Sequence, residues 1–111
     1  MAQSFDLIDE RVIAEKVRAS VTSISGTEVP IDQDAELCTV GPGWRIWGVG
    51  VHRMAGALNI EVELIVTLDK KNSIPSLSTR VRRKVRTAIQ ALTPERVQRI
   101  DLRISDVRFE D

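Results

Sequence analysis

Five cations stand close together in the second half of the chain: Arg80, Arg82, Arg83, Lys84 and Arg86, with no acid between Ile74 and Leu92. On a helix, at about 100° per residue, they spread over most of one face. Like charges so close repel unless an anion or acidic side chains offset them. Three partners fit that chemistry: nucleic-acid phosphates, anionic lipid headgroups, or an acidic protein surface such as the chain's own first third. Nucleic-acid binding favours aromatic rings beside the cations. Here Trp44 and Trp47 lie elsewhere in sequence and tyrosine is absent. A solvated basic face is the simpler alternative. Arg80, Arg83 and Arg86 are the candidates for partner contact on this face. Trp44 and Trp47 join them because alternation points them to opposite sides of one strand, so at least one leaves the helix-covered side. Exposed tryptophan is enriched in interfaces, although a loop or the N-terminal segment would also cover such a ring.

Enzyme chemistry is harder to place, and no catalytic residue is assigned. His52 is the only histidine, and no serine or cysteine stands at a spacing that links to it. Gly41-Pro42-Gly43 lacks the third glycine, the lysine and the following helix of a phosphate-binding loop. Glu61 and Glu63 are paired carboxylates, yet alternation puts them on a polar sheet face where solvation or salt bridging is the expected state. Asp32, Asp34 and Glu36 repeat at every second position like a calcium loop. Counted from Asp32, the glycine and terminal glutamate of an EF-hand fall on Leu37 and Gly43, so no metal site is expected. No cofactor is implied.

At 111 residues, 42% apolar and 29% charged, the chain reads as a single globular domain, 1–111. One cysteine, Cys38, excludes an internal disulfide and suits a reducing compartment. Met1 to Asp6 shows neither the basic region nor the apolar stretch of a secretory signal. The longest uncharged run, Ala19 to Thr27, has nine residues, against about 20 for a membrane span. Net charge is zero but polarised: residues 1–40 hold eight acids and three bases, residues 69–111 eleven bases and six acids. Such asymmetry marks an interaction surface or two halves that neutralise each other.

These residues must be held by ordinary elements. Leu58 to Leu68 alternates apolar and polar, broken only at Ile65, the pattern of a strand with one buried face. Leu77, Val81, Val85, Ala88 and Leu92 then form a helical stripe. Pro75 suits that helix's first turn, and Thr93-Pro94 ends it. Ile100, Leu102 and Ile104 resume the alternation in a last strand. A strand–helix–strand crossover of this kind is right-handed and parallel. Ser105-Asp106 is a candidate bulge that turns Val107 and Phe109 inward. Glu61 and Glu63 would then face Arg99 and Arg103 across neighbouring strands.

Earlier in the chain, a first helix runs from Glu10 to about Ser23, capped by Asp9, with Ile8 and Ile13 as a hydrophobic staple. Ile13, Val17, Val21 and Ile24 form its inward stripe, and Gly26 supplies the left-handed C-cap. Thr27 to Ile31 suits a short edge strand, since Pro30 cannot donate to a ladder. Gly41-Pro42-Gly43 is a turn, and Trp44 to Arg53 a strand forming a hairpin with Leu58–Leu68. Gly48 and Gly50 on one face imply close approach by another backbone or a large side chain. The expected fold is α+β: two layers, helix–strand–strand–helix–strand, with both helices on one face of a mixed three- or four-stranded sheet.

That order, with Ile8-Asp9-Glu10-Arg11-Val12-Ile13-Ala14, the strand Asn59–Leu68, Ile74-Pro75 before a helix carrying Val81, Val85 and Ala88, and the closing Val97–Val107, resembles the alkaline shock protein family of bacterial envelope-stress proteins. The likeness covers about residues 8–108 and carries no catalytic residue. It implies a non-enzymatic, cytoplasmic scaffold that self-associates as a homo-oligomer. It also implies recruitment to the inner face of the membrane by a protein partner, a small anchor protein in some members. The chain departs from the family pattern in its longer acidic segment, Glu28–Glu36, and in the tryptophan-bearing stretch Gly41–Gly50. The alternative is a small RNA-binding domain of KH type, which shares the element order and would use the basic helix. The Gly-x-x-Gly loop of that type is missing before the helix, where the chain reads Asn72-Ser73-Ile74-Pro75.

Overall fold

The computed structural model describes residues 8–110, so the stretch Met1–Asp6 read above for a targeting signal lies outside the described residues. In chain order the elements are α1 (Glu10–Thr22), β1 (Thr27–Glu28), β2 (Cys38–Gly41), β3 (Trp44–Trp47), β4 (Val49–Met54), β5 (Ala57–Leu68), α2 (Ile74–Leu92) and β6 (Arg96–Phe109). The class is α+β. A four-stranded mixed sheet carries the two helices, and β2 and β3 make a separate two-stranded hairpin.

β5 is the centre. It pairs antiparallel with β4 from Ala57 to Val62 and with β1 at Ile65 and Val66. Along its other edge it pairs parallel with β6 over its whole length, Ala57 to Leu68. A strand has only two hydrogen-bonding edges, so β4 and β1 share one and β6 holds the other. The apolar alternation of β5 has the expected result: Leu58, Ile60, Val62, Leu64 and Val66 are fully buried. They meet Ile13, Val17 and Val21 of α1 and Leu77, Val81, Val85 and Ile89 of α2 in one continuous core.

Local signals place both helices. Asp9 accepts from the amide of Arg11 at 2.9 Å, satisfying one of the orphan donors of α1. Ser73 caps α2 in a reciprocal box with Ser76, and Pro75 sits in the first turn. The inward stripe of α2 continues to Ile89 rather than Ala88, which is half-buried, because every contact repeats at four residues. Ser23, not Gly26, caps α1 at its C-terminus; Gly26 takes its left-handed φ of 92° in the turn before β1.

Three strand expectations are corrected. Trp44 to Arg53 is two strands, not one, divided at Gly48, whose φ is 81°. Its amide donates to Leu37 O at 2.7 Å and its carbonyl accepts from Glu63 N at 2.8 Å. A Cβ there would lie 2.3 Å from Val29 Cγ1 and 2.9 Å from Pro30 O, so the expected close approach is real and demands glycine. The edge strand within Thr27–Ile31 is only Thr27–Glu28. β6 does shift register at Ser105, but also at Gln98, and while Val107 is half-buried, Phe109 stays 80% exposed.

Candidate interaction surfaces

The basic helix face is built as its spacing dictates. With Leu77, Val81, Val85 and Ile89 committed to the core, Arg80, Arg82, Arg83, Lys84 and Arg86 are all exposed. None of them takes part in an ion pair among the described residues. They do not behave alike. Arg82 Nε donates to Ile100 O at 3.2 Å and an Arg86 terminal nitrogen to Val97 O at 3.0 Å, both carbonyls of β6. Two of the five cations, one turn apart, therefore lean over the sheet edge, while Arg80, Arg83 and Lys84 make no side-chain hydrogen bond among the described residues and face outward. Sequence spacing could not divide the set, since only the position of β6 does so.

The acidic first third offsets other cations. Glu36 meets Arg103 of β6 at 2.8 Å, and Glu28 meets Arg108 at 3.4 Å. The segment Pro30–Leu37 thus crosses the sheet face opposite the helices. There it buries Glu63 completely, and Glu63 accepts from the Leu37 amide. The expectation of a solvated or salt-bridged Glu63 is overturned, because alternation reports which side a residue takes and not what covers that side. Glu61 stays at the surface and pairs with His52 at 3.3 Å, so the expected match of Glu61 and Glu63 with Arg99 and Arg103 holds only as a register neighbour, Glu63 beside Arg103.

The tryptophans lie on β3, which touches α1. Both are half-buried. The Arg11 guanidinium carbon sits 5.8 Å from the Trp44 ring centre and that of Arg45 5.0 Å from Trp47. These cation–π contacts engage one face of each ring. The candidate residues therefore fall into two places, Trp44 and Trp47 on the hairpin and the arginines on α2.

One more pair fixes the frame. Arg53 of β4 forks onto Glu95 at 2.7 and 3.0 Å, reaches Ile8 O and lies 3.7 Å from Glu10. Its hydrogen bonds hold the Glu95 carboxyl below the usual carboxylate range, against the opposing effect of burial. The start of α1, the sheet edge and the α2–β6 connection meet at this point.

Two cavities were invisible in the sequence. One, about 380 Å³, has apolar walls of Val29, Pro30, Ile31 and Ile65 under Asp32, Asp34 and Arg108. A shallower groove of about 590 Å³ lies between the exposed Phe109 and the start of α2. Among the described residues no group of three metal-ligating side chains converges, and no helix is long and apolar enough to cross a membrane. No family model, curated protein or solved structure matches the chain.

Proposed function

We propose that the chain is a non-enzymatic scaffold of the alkaline-shock kind, working by adhesion. In this reading it self-associates and is held at the inner face of the membrane by a protein partner. One observation carries the reading: α2 presents Arg80, Arg83 and Lys84 outward with no ion pair among the described residues, while Glu36 and Glu28 meet Arg103 and Arg108, and Glu15 and Glu10 meet Arg11 and Arg53. Uncompensated cations on a rigid, well-capped helix favour an acidic protein surface and steer its approach. The resemblance of Ile8–Ala14, Asn59–Leu68 and Val97–Val107 to that family supports the same assignment.

The test uses the purified chain and membranes from its native cell. Binding is expected to native membrane vesicles, to be lost after their exposed proteins are removed by protease, and to fail on protein-free anionic vesicles. Arg80→Glu with Arg83→Glu abolishes it without changing the melting temperature. Equal binding to protein-free vesicles, or none to any membrane, overturns the reading. Salt-sensitive binding to single-stranded RNA in place of membranes overturns it in favour of the KH-like alternative.

A further inference from the structure

Among the described residues β6, fourteen residues long, is an edge strand that pairs with β5 alone. Its other edge needs an account, because a long free edge is a template for another strand. The backbone direction can be read from its bonds. Arg82 caps the carbonyl of Ile100 from outside, so by alternation the amide and carbonyl groups of Ile100, Leu102 and Ile104 all point away from β5. At the ends the free groups are already occupied: Arg86 holds Val97 O, and Val107 N donates to its own neighbour Asp106 at 2.9 Å. Between the register shifts at Gln98 and Ser105 the outward groups carry one such bond, Arg82 on Ile100 O, and the rest of that regular segment is open among the described residues.

We propose that this segment pairs antiparallel with the same segment of a second copy, about a two-fold axis through Leu102. The register follows from charge. Centred on Leu102, Asp101 of each copy lies opposite Arg103 of the other, Ile100 lies opposite Ile104, and every facing group is an outward one. Asp101 meets Arg99 of its own strand at 3.3 Å and Arg103 meets Glu36 at 2.8 Å, so the cross-copy pairs extend two exposed ion pairs already present. Moving the centre to Asp101 sets Asp101 against itself and Arg99 against Arg103. Moving it to Arg103 sets Arg103 against itself. Both neighbouring registers that keep the helices on one side are penalised by like charges. A centre at Ile100 would set Arg99 against Asp101 but carries the register shift at Gln98 into the ladder, so the Leu102 register is the complementary one within the regular segment. The dimer joins the two sheets into one with all four helices on one side, an isologous interface. Arg82 guards it: its guanidinium must leave Ile100 O before that carbonyl can accept from Ile104 of the second copy.

This interface rests on the self-association in the proposed function, and the test separates the two. Sedimentation equilibrium of the full chain is expected to show a mass rising with concentration from 12.4 kDa toward twice that value. Asp101→Arg places two like-charged pairs across the axis and weakens association about tenfold, and adding Arg103→Asp restores it. Leu102→Pro removes an outward donor together with part of the packing of this half-buried side chain on the core, and is expected to leave a less stable folded monomer, whereas Arg82→Ala tightens the dimer. If Leu102→Pro unfolds, the charge-swapped pair decides the matter alone. A wild-type chain monomeric at all concentrations, or one whose association ignores both Asp101→Arg and its Arg103→Asp rescue, overturns the interface. Membrane recovery through a protein partner then still stands or falls separately, and its loss with an intact dimer overturns the scaffold reading and not this edge.

Discussion

Glu63, in the middle of β5, accepts a hydrogen bond from the backbone amide of Leu37, 26 residues earlier in the chain. One carboxylate oxygen thus ties the acidic segment to the sheet. The other, Oε2, is buried with no partner among the described residues. A buried oxygen without a donor costs stability, whereas the tie itself contributes to it. Glu63→Gln keeps an acceptor for Leu37 but sets an amide NH2 with no acceptor where Oε2 lies, so it is expected to lower unfolding stability by about 1 kcal/mol. Glu63→Ala leaves a buried amide unpaired and a void, and lowers stability by about 3 kcal/mol. Urea unfolding of the two variants checks both costs, and a Gln variant as stable as wild type would show that its amide finds an acceptor in solution.

Gly48 and Gly43 both hold a left-handed backbone, at φ of 81° and 79°. They differ in space: a Cβ at Gly43 meets nothing within 4 Å, while at Gly48 it strikes Val29 and Pro30. Gly43→Ala is therefore expected to cost about 1 kcal/mol, from backbone strain alone. Gly48→Ala should cost at least about 3 kcal/mol, because the packed segment must move. Equal costs in thermal unfolding would mean that Pro30 yields freely.

The Arg53–Glu95 fork sets a pH dependence. The folded carboxyl lies below its ordinary value of 4.5, so its contribution is complete above that pH and is lost as pH falls below it. Wild-type melting temperature should drop through this acid window, and Glu95→Gln should flatten that part of the curve while lowering stability near neutrality by about 2 kcal/mol. An unchanged acid slope in the variant would assign the loss to other carboxylates.

Arg11→Ala removes the cation over Trp44 and also an exposed pair with Glu15 at 3.0 Å. Surface contacts of this sort are weak, so the expected cost is about 1 kcal/mol or less. Trp44 emission should shift to longer wavelength as its ring gains water. An emission spectrum identical to wild type would place the guanidinium away from the ring.

The elements that carry their own periodic signal were readable from residues alone. Leu58–Leu68 alternates and is the buried central strand; Asp9 stands where a cap belongs and caps, whereas the Ser73 cap of α2 lies in what reads as a loop. What escaped was set by distant chain. Nothing near Gly48 announces that Pro30 will press on it, and so one apparent strand breaks in two. Nothing near Glu63 says that Leu37 will roof it. Arg82 and Arg86 look equivalent to Arg80 and Arg83 on a helical wheel; only the neighbouring carbonyls of Ile100 and Val97 draw them aside. The register shift at Ser105 was legible because polar residues interrupt the alternation, whereas Gln98 lies before the alternation begins.

Because β1, β4 and β6 all attach to β5 and, among the described residues, not to each other, β5 holds the described sheet together. Opening from the rim can free any one of them while the remaining pairs persist, but losing β5 ends the whole structure at once. In deuterated water the amides of Ile60 to Leu64 are therefore expected to exchange last, at a rate set by global unfolding, with the β2–β3 hairpin exchanging far earlier.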